Sequence, residues 1–288
     1  MKDTFHRTRK STRPHATFTS VSDTMKFPST VQVQTATTPL FAPVQWKSDI
    51  IVDYDDTLLP STYISELGLK LDSPIELVAY YRTELDLVAD SVVKLLTVLL
   101  SYANVTILTN AESGWVQLAT AKFMPAVVPL LERVKIISAR SKFELHHPDT
   151  PLNQAPFKWK FYAFIDHFKS RNMLHASIQP KEKYNFISIG DSNVEREAFR
   201  AVTMGRLNVL SKNVKFVERP TIHALLSQQE VVLKVVHTLV HSDQNFDLQL
   251  TAFSAPSQPE IPTYKMPAQP PHSKVNQPDP AMVFDMDS

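Results

Sequence analysis

Between about residues 45 and 247, strand-length apolar runs alternate with segments whose apolar residues recur at helical spacing, and this alternation narrows the fold more than any other feature. The runs fall at 49–53, 105–109, 134–138, 186–189 and 207–210. Most are continuously apolar, the pattern of central parallel strands covered on both faces. Between them, Leu85, Val88, Val92, Leu95, Leu96 and Leu99 repeat at three- and four-residue steps, as do Trp159, Phe161, Phe164, Ile165 and Phe168. The expectation is an α/β fold, a doubly wound parallel sheet, in which ligands bind outside the carboxyl ends of the strands.

Both flanks read differently. Residues 1–44 are rich in Thr, Ser and Pro, carry Lys2, Arg7, Arg9, Lys10 and Arg13, and show no sustained apolar period, so a disordered basic tail is expected. Residues 248–288 are crowded by prolines, among them Pro256, Pro259, Pro262 and Pro267, which forbid regular helix or central strand. This second tail leaves room for a docking protein partner. The core, 45–247, is long enough to bury a sizeable apolar interior, since 43% of the 288 residues are apolar.

The composition also excludes several classes of function. A formal net charge of +1 gives no global pull toward nucleic acid or anionic membrane, and neither partner is expected. The absence of cysteine removes disulfides, thiolate catalysis and cysteine metal sites together. No stretch reaches the roughly 18 uninterrupted apolar residues of a membrane span, because the 92–108 region is broken by Lys94, Ser101 and Asn104. The N-terminus lacks the apolar core of a secretory signal, although its Arg, Ser and Thr content weakly resembles an organelle transit segment. The expected compartment is the cytoplasm, with an organelle address left open.

Chemistry enters where the first run ends. Ile50-Ile51-Val52 leads directly into Asp53-Tyr54-Asp55-Asp56-Thr57. At a strand end, residues i and i+2 point to the same side, so Asp53 and Asp55 converge while Tyr54 faces away. Two converging carboxylates suit a divalent metal, or a nucleophile paired with an acid/base. Three further segments end or follow apolar runs. Thr109 and Asn110 close the second, putting a hydroxyl where it can reach a phosphoryl oxygen. Lys160, with Lys158 as the neighbouring alternative, opens the aromatic helix. Gly190-Asp191-Ser192 closes the fourth run, with Glu195 one helical turn beyond Asp191. The chain has only 4 glycines, and Gly190 before Asp191 and Gly114 after Thr109 each mark a backbone that needs one.

Taken in order, these segments resemble the haloacid dehalogenase superfamily of phosphatases and phosphotransferases. The resemblance covers about residues 50–209. Asp53, Asp55 and Thr57 match its DxDxT motif, Thr109 its strand-closing hydroxyl, Lys160 its lysine, and Asp191 with Glu195 its acidic turn. It implies that Asp53 attacks phosphorus, that Asp55 protonates the leaving oxygen and later deprotonates water, and that Thr109, Asn110 and Lys160 contact the substrate. It further implies Mg²⁺ held by Asp53, Asp191 and the backbone carbonyl of Asp55, with Glu195 and Ser192 supporting the metal's waters. An Asp two places after the nucleophile is similar to phosphomonoesterases and mutases, whose alkoxide leaving groups need a proton.

The stretches 58–104 and 111–157 leave little chain for a cap domain, so an open site and a large phosphorylated substrate are expected. The DYDDTL opening is also similar to capless phosphatases acting on phosphoserine in polymerase tails, but the fourth motif departs from theirs and their substrate is not carried over. The alternatives are a catalytically silent member kept as a binding or scaffold module, and a phosphotransferase. Arg140 reads mainly as an exposed arginine, His146-His147 as a solvated loop, and Trp115 and Trp159 as core.

Overall fold

The computed structural model describes residues 46–146, 150–171 and 183–251. The 1–44 tail with its basic cluster, most of the Pro-rich tail and His147 lie outside them. The chain runs β1 (Trp46–Val52), α1 (Ser61–Glu66), α2 (Ile75–Tyr80), α3 (Arg82–Tyr102), β2 (Asn104–Thr109), α4 (Trp115–Phe123), α5 (Val128–Leu131), β3 (Lys135–Ser138), α6 (Ala139–Phe143), α7 (Ala155–Ser170), β4 (Lys183–Gly190), α8 (Asn193–Thr203), β5 (Val209–Lys215), α9 (Ile222–His241) and β6 (Phe246–Gln249). The strands form one sheet in the order β3-β2-β1-β4-β5-β6, and every pairing is parallel. This is the doubly wound α/β fold that the alternation predicts.

The period-2 geometry of a strand divides the apolar runs between two cores. Ile50, Val52, Ile107, Ile187 and Ile189 face a core closed by α3 and α9, while Ile51, Leu108 and Phe186 face the one closed by α7 and α8. Val88, Val92, Leu95 and Leu99 supply the buried stripe of α3, and Phe164 and Phe168 that of α7. The order of strands reverses between β1 and β4. Their carboxyl ends therefore flank the crevice where a doubly wound sheet binds its ligands.

Two elements differ from the sequence expectation. The fifth strand occupies Val209–Lys215 rather than 207–210, and Leu207 is 99% exposed. Its second half is Ser-Lys-Asn-Val-Lys, which does not read as a buried strand because its lysines have backbone partners that only the fold supplies. Lys212 Nζ donates to the carbonyls of Leu239 and Ser242 at the end of α9, and Lys215 Nζ to those of Asp191 and Phe216. Burial pushes Lys212 down to about 8. The sixth strand, β6, carries the sheet to Gln249, two residues past the expected core. It is an exposed edge strand and leaves no continuous apolar signal. Among the described residues, no helix is long and apolar enough to cross a membrane.

His167, on α7, is 2% exposed, sits edge-on to Phe186, and has neither ring nitrogen hydrogen-bonded. Burial, with the charges of Arg171 and Lys135 adding to it, lowers its pKa from 6.5 to about 4. The unfolded chain takes up this proton at higher pH than the folded one, so stability present above pH 6.5 is lost as pH falls toward 4. We expect wild type to lose about 3 kcal/mol relative to His167→Leu across that window, measured by urea unfolding of both proteins.

Candidate active site

The first loop is shaped by its backbone. Asp53 N–H bonds Ile189 O at 2.9 Å and keeps the β1–β4 register one residue beyond the strand. The chain then turns about the Tyr54 carbonyl, which accepts the N–H groups of Thr57, Leu58 and Leu59. Asp56 takes a left-handed φ of 53°, a conformation Asp tolerates, and its carboxylate accepts from the N–H and Oγ1 of Thr62. Tyr54 buries its ring, with its hydroxyl 2.9 Å from Thr120 Oγ1, which leaves Asp53 and Asp55 to face elsewhere.

Asp53 and Asp55 meet different surroundings. Asp53 Oδ1 accepts its neighbour's N–H, and Oδ2 lies 3.0 Å from Lys160 Nζ. That lysine is 1% exposed and also lies 3.3 Å from Glu195 Oε2 while donating to Leu108 O. Burial opposes its charge, but Asp53 and Glu195 outweigh burial and raise its pKa. Asp55, by contrast, is held by neutral donors: Trp115 Nε1 at 2.9 Å on Oδ1 and Thr109 Oγ1 at 3.3 Å on Oδ2, with Ser61 contributing. Burial, then the nearby negative charge of Asp53, raises its pKa.

Asp191 follows β4 on the opposite wall of the crevice. Burial, then the charges of Asp53 and Asp56, push it up to about 7, and Lys160 compensates only in part. Glu195 is buried, accepts from Ser188 Oγ at 3.1 Å, and has a pKa raised well above its usual value, chiefly by burial. The cluster thus gathers carboxylates around the buried Lys160 ammonium group. Among the described residues, no group of three or more His, Asp or Glu side chains is arranged to hold a metal ion.

Other side chains singled out from the sequence have partners of their own. Of the two lysines, Lys160 reaches Asp53, whereas Lys158 Nζ lies 3.3 Å from Thr150 Oγ1. Glu195 is buried against Lys160 and Ser188, beneath Gly190. Ser192 Oγ caps α8 by accepting the Val194 N–H. Asn110 spends its amide nitrogen on Pro156 O at 3.2 Å, though its Oδ1 is buried without a partner. Arg140 pairs with Glu144 and Glu112 and lies over the Trp159 ring.

Trp115 packs its ring against the core as expected, and its indole N–H in addition reaches Asp55, a site contact the sequence reading missed. The available signal was its place at the start of the helix that follows β2, combined with an indole N–H that needs an acceptor. Asp56 was also missed. A cavity of about 700 Å³ lies at the opposite, amino end of the sheet, lined by Lys47, Asp49, Asn104, Arg171 and Tyr184 among others, and none of the clustered carboxylates lines it. No family model, no curated protein and no solved structure matches the chain.

A methyl group on Gly190 would stand 2.2 Å from Glu195 Oε2, and Glu195 is pinned by Lys160 and Ser188. We expect Gly190→Ala to cost about 2 kcal/mol by overpacking. In a Glu195→Ala background the cost should largely vanish, a coupling that urea unfolding of the four proteins measures.

Proposed function

We propose that this chain is a Mg²⁺-dependent phosphomonoesterase of the haloacid dehalogenase superfamily, acting through an aspartyl phosphate on Asp53. The observation that carries this reading is the unequal treatment of two neighbouring carboxylates. Asp53 is paired with an ammonium group, which suits a carboxylate nucleophile. Asp55 is surrounded by neutral donors and raised by burial, which suits an acid that must hold and release a proton. Acid and base roles assigned by environment are how one site runs both halves of a hydrolysis.

In the first half, Asp53 forms a bond to phosphorus as the ester oxygen leaves, and Asp55 gives that oxygen its proton. In the second, Asp55 takes a proton from water, whose oxygen attacks phosphorus and frees Asp53. Lys160 and Thr109 border the space where the phosphoryl oxygens would lie. Asp53, Asp191 and the carbonyl of Asp55 would hold Mg²⁺, which when bound neutralises charge between carboxylate and phosphate. A binding or scaffold module gives no reason to bury Lys160 among acids, since such crowding costs stability. The elements between β1 and α3 are short helices, which supports an open site for a large phosphorylated substrate.

The test is turnover of an aryl phosphate by the full chain with and without Mg²⁺. We expect Asp53→Asn to abolish it and chelation to suppress it reversibly, with phosphate release as the readout. Undiminished turnover in Asp53→Asn would sink the mechanism.

A further inference from the structure

The phosphatase reading gives no role to the Trp115 indole, although that group makes the shortest side-chain hydrogen bond described for Asp55. Its position is built by several constraints. Gly114, which precedes it, has a left-handed φ of 91°, and α4 begins at Trp115 itself. The loop before this turn is tied down at both ends. Ala111 N–H donates to Thr109 Oγ1 at 2.9 Å, Ser138 Oγ donates to Ala111 O at 2.6 Å, and Ser113 N–H donates to Ser141 Oγ at 2.9 Å. The end of β2, the start of α6 and one glycine turn thus aim a single N–H at Asp55.

An indole N–H donates and never accepts. The indole holds Asp55 Oδ1 at 2.9 Å while Thr109 Oγ1 donates to Oδ2 at 3.3 Å, so the two donors together fix the plane of the Asp55 carboxyl group. We propose, resting on the phosphatase reading, that Trp115 is a positioning residue which fixes the orientation of the Asp55 carboxyl group for proton delivery. The site is thereby built for alkyl phosphomonoesters, whose leaving oxygen departs poorly without protonation. In the step concerned, the Asp53–phosphorus bond forms and the phosphorus–ester oxygen bond breaks. The electron pair goes to the leaving oxygen, and the Asp55 carboxyl proton moves to it, giving a neutral alcohol and the Asp55 carboxylate.

A misplaced acid harms poor leaving groups and spares good ones, a pattern that general loss of structure does not produce. We would measure kcat/KM for serine phosphate, phenyl phosphate and 4-nitrophenyl phosphate with the full chain and Mg²⁺, because kcat/KM includes the departure of the leaving group. Trp115→Phe keeps a ring and removes the donor. It should lower kcat/KM at least about tenfold for serine and phenyl phosphates, and under about threefold for 4-nitrophenyl phosphate. Ser141→Ala, which loosens the loop without touching the indole, should show a smaller loss with the same ordering, and it decides the matter if Trp115→Phe does not fold. Equal losses across the three esters, or none, would overturn the role of Trp115 while leaving the phosphatase reading intact. A wild type inactive on all three esters would overturn that reading, and this inference with it.

Discussion

One buried ammonium group organises the carboxyl end of this protein's sheet. Lys160 rises from α7 into a space with almost no solvent and meets Asp53 from β1, Glu195 from α8 and the Leu108 carbonyl from β2. A lone charge there would be costly, and so would either acid without its partner. Each of the four elements is therefore held in place by the others. Gly190 completes the arrangement, because any side chain at that position would enter the volume Glu195 occupies.

The remaining acids divide according to what surrounds them. Asp53 shares a cation, Asp55 is supported by hydroxyl and indole donors, and Asp191 faces other negative charges across the reversal point of the sheet. Three carboxylates of one chemical type thus acquire three dispositions at one end of the sheet. Asp56 adds to the negative field but directs its carboxylate at Thr62, which fixes the turn that presents its two neighbours.

Much of the fold was legible because apolar runs and helical stripes obey periods that any chain must respect. Where the period failed, polar residues were buried for reasons of tertiary origin. Lys212 and Lys215 sit in a central strand because the end of α9 and the loop after β4 offer them carbonyls. The edge strand β6 failed for the opposite reason: it is exposed and needs no apolar run. At the site, the Asp53, Asp55, Thr109 and Asp191 positions were readable as polar residues closing strands. The lysine was legible only as a preference for Lys160 over Lys158, since the two differ only in the face of α7 they occupy.

The sequence by itself determined the alternation of strand and helix, the parallel sheet it implies, and the set of polar residues at the strands' carboxyl ends, because periodicity and chain order are local properties. Only the tertiary structure decided which lysine enters the core, that Glu195 braces that lysine, and that Trp115 turns its N–H onto Asp55. Those outcomes depend on distances between segments 35 to 107 residues apart in the chain, for example Lys160 and Asp53, and no local pattern encodes them.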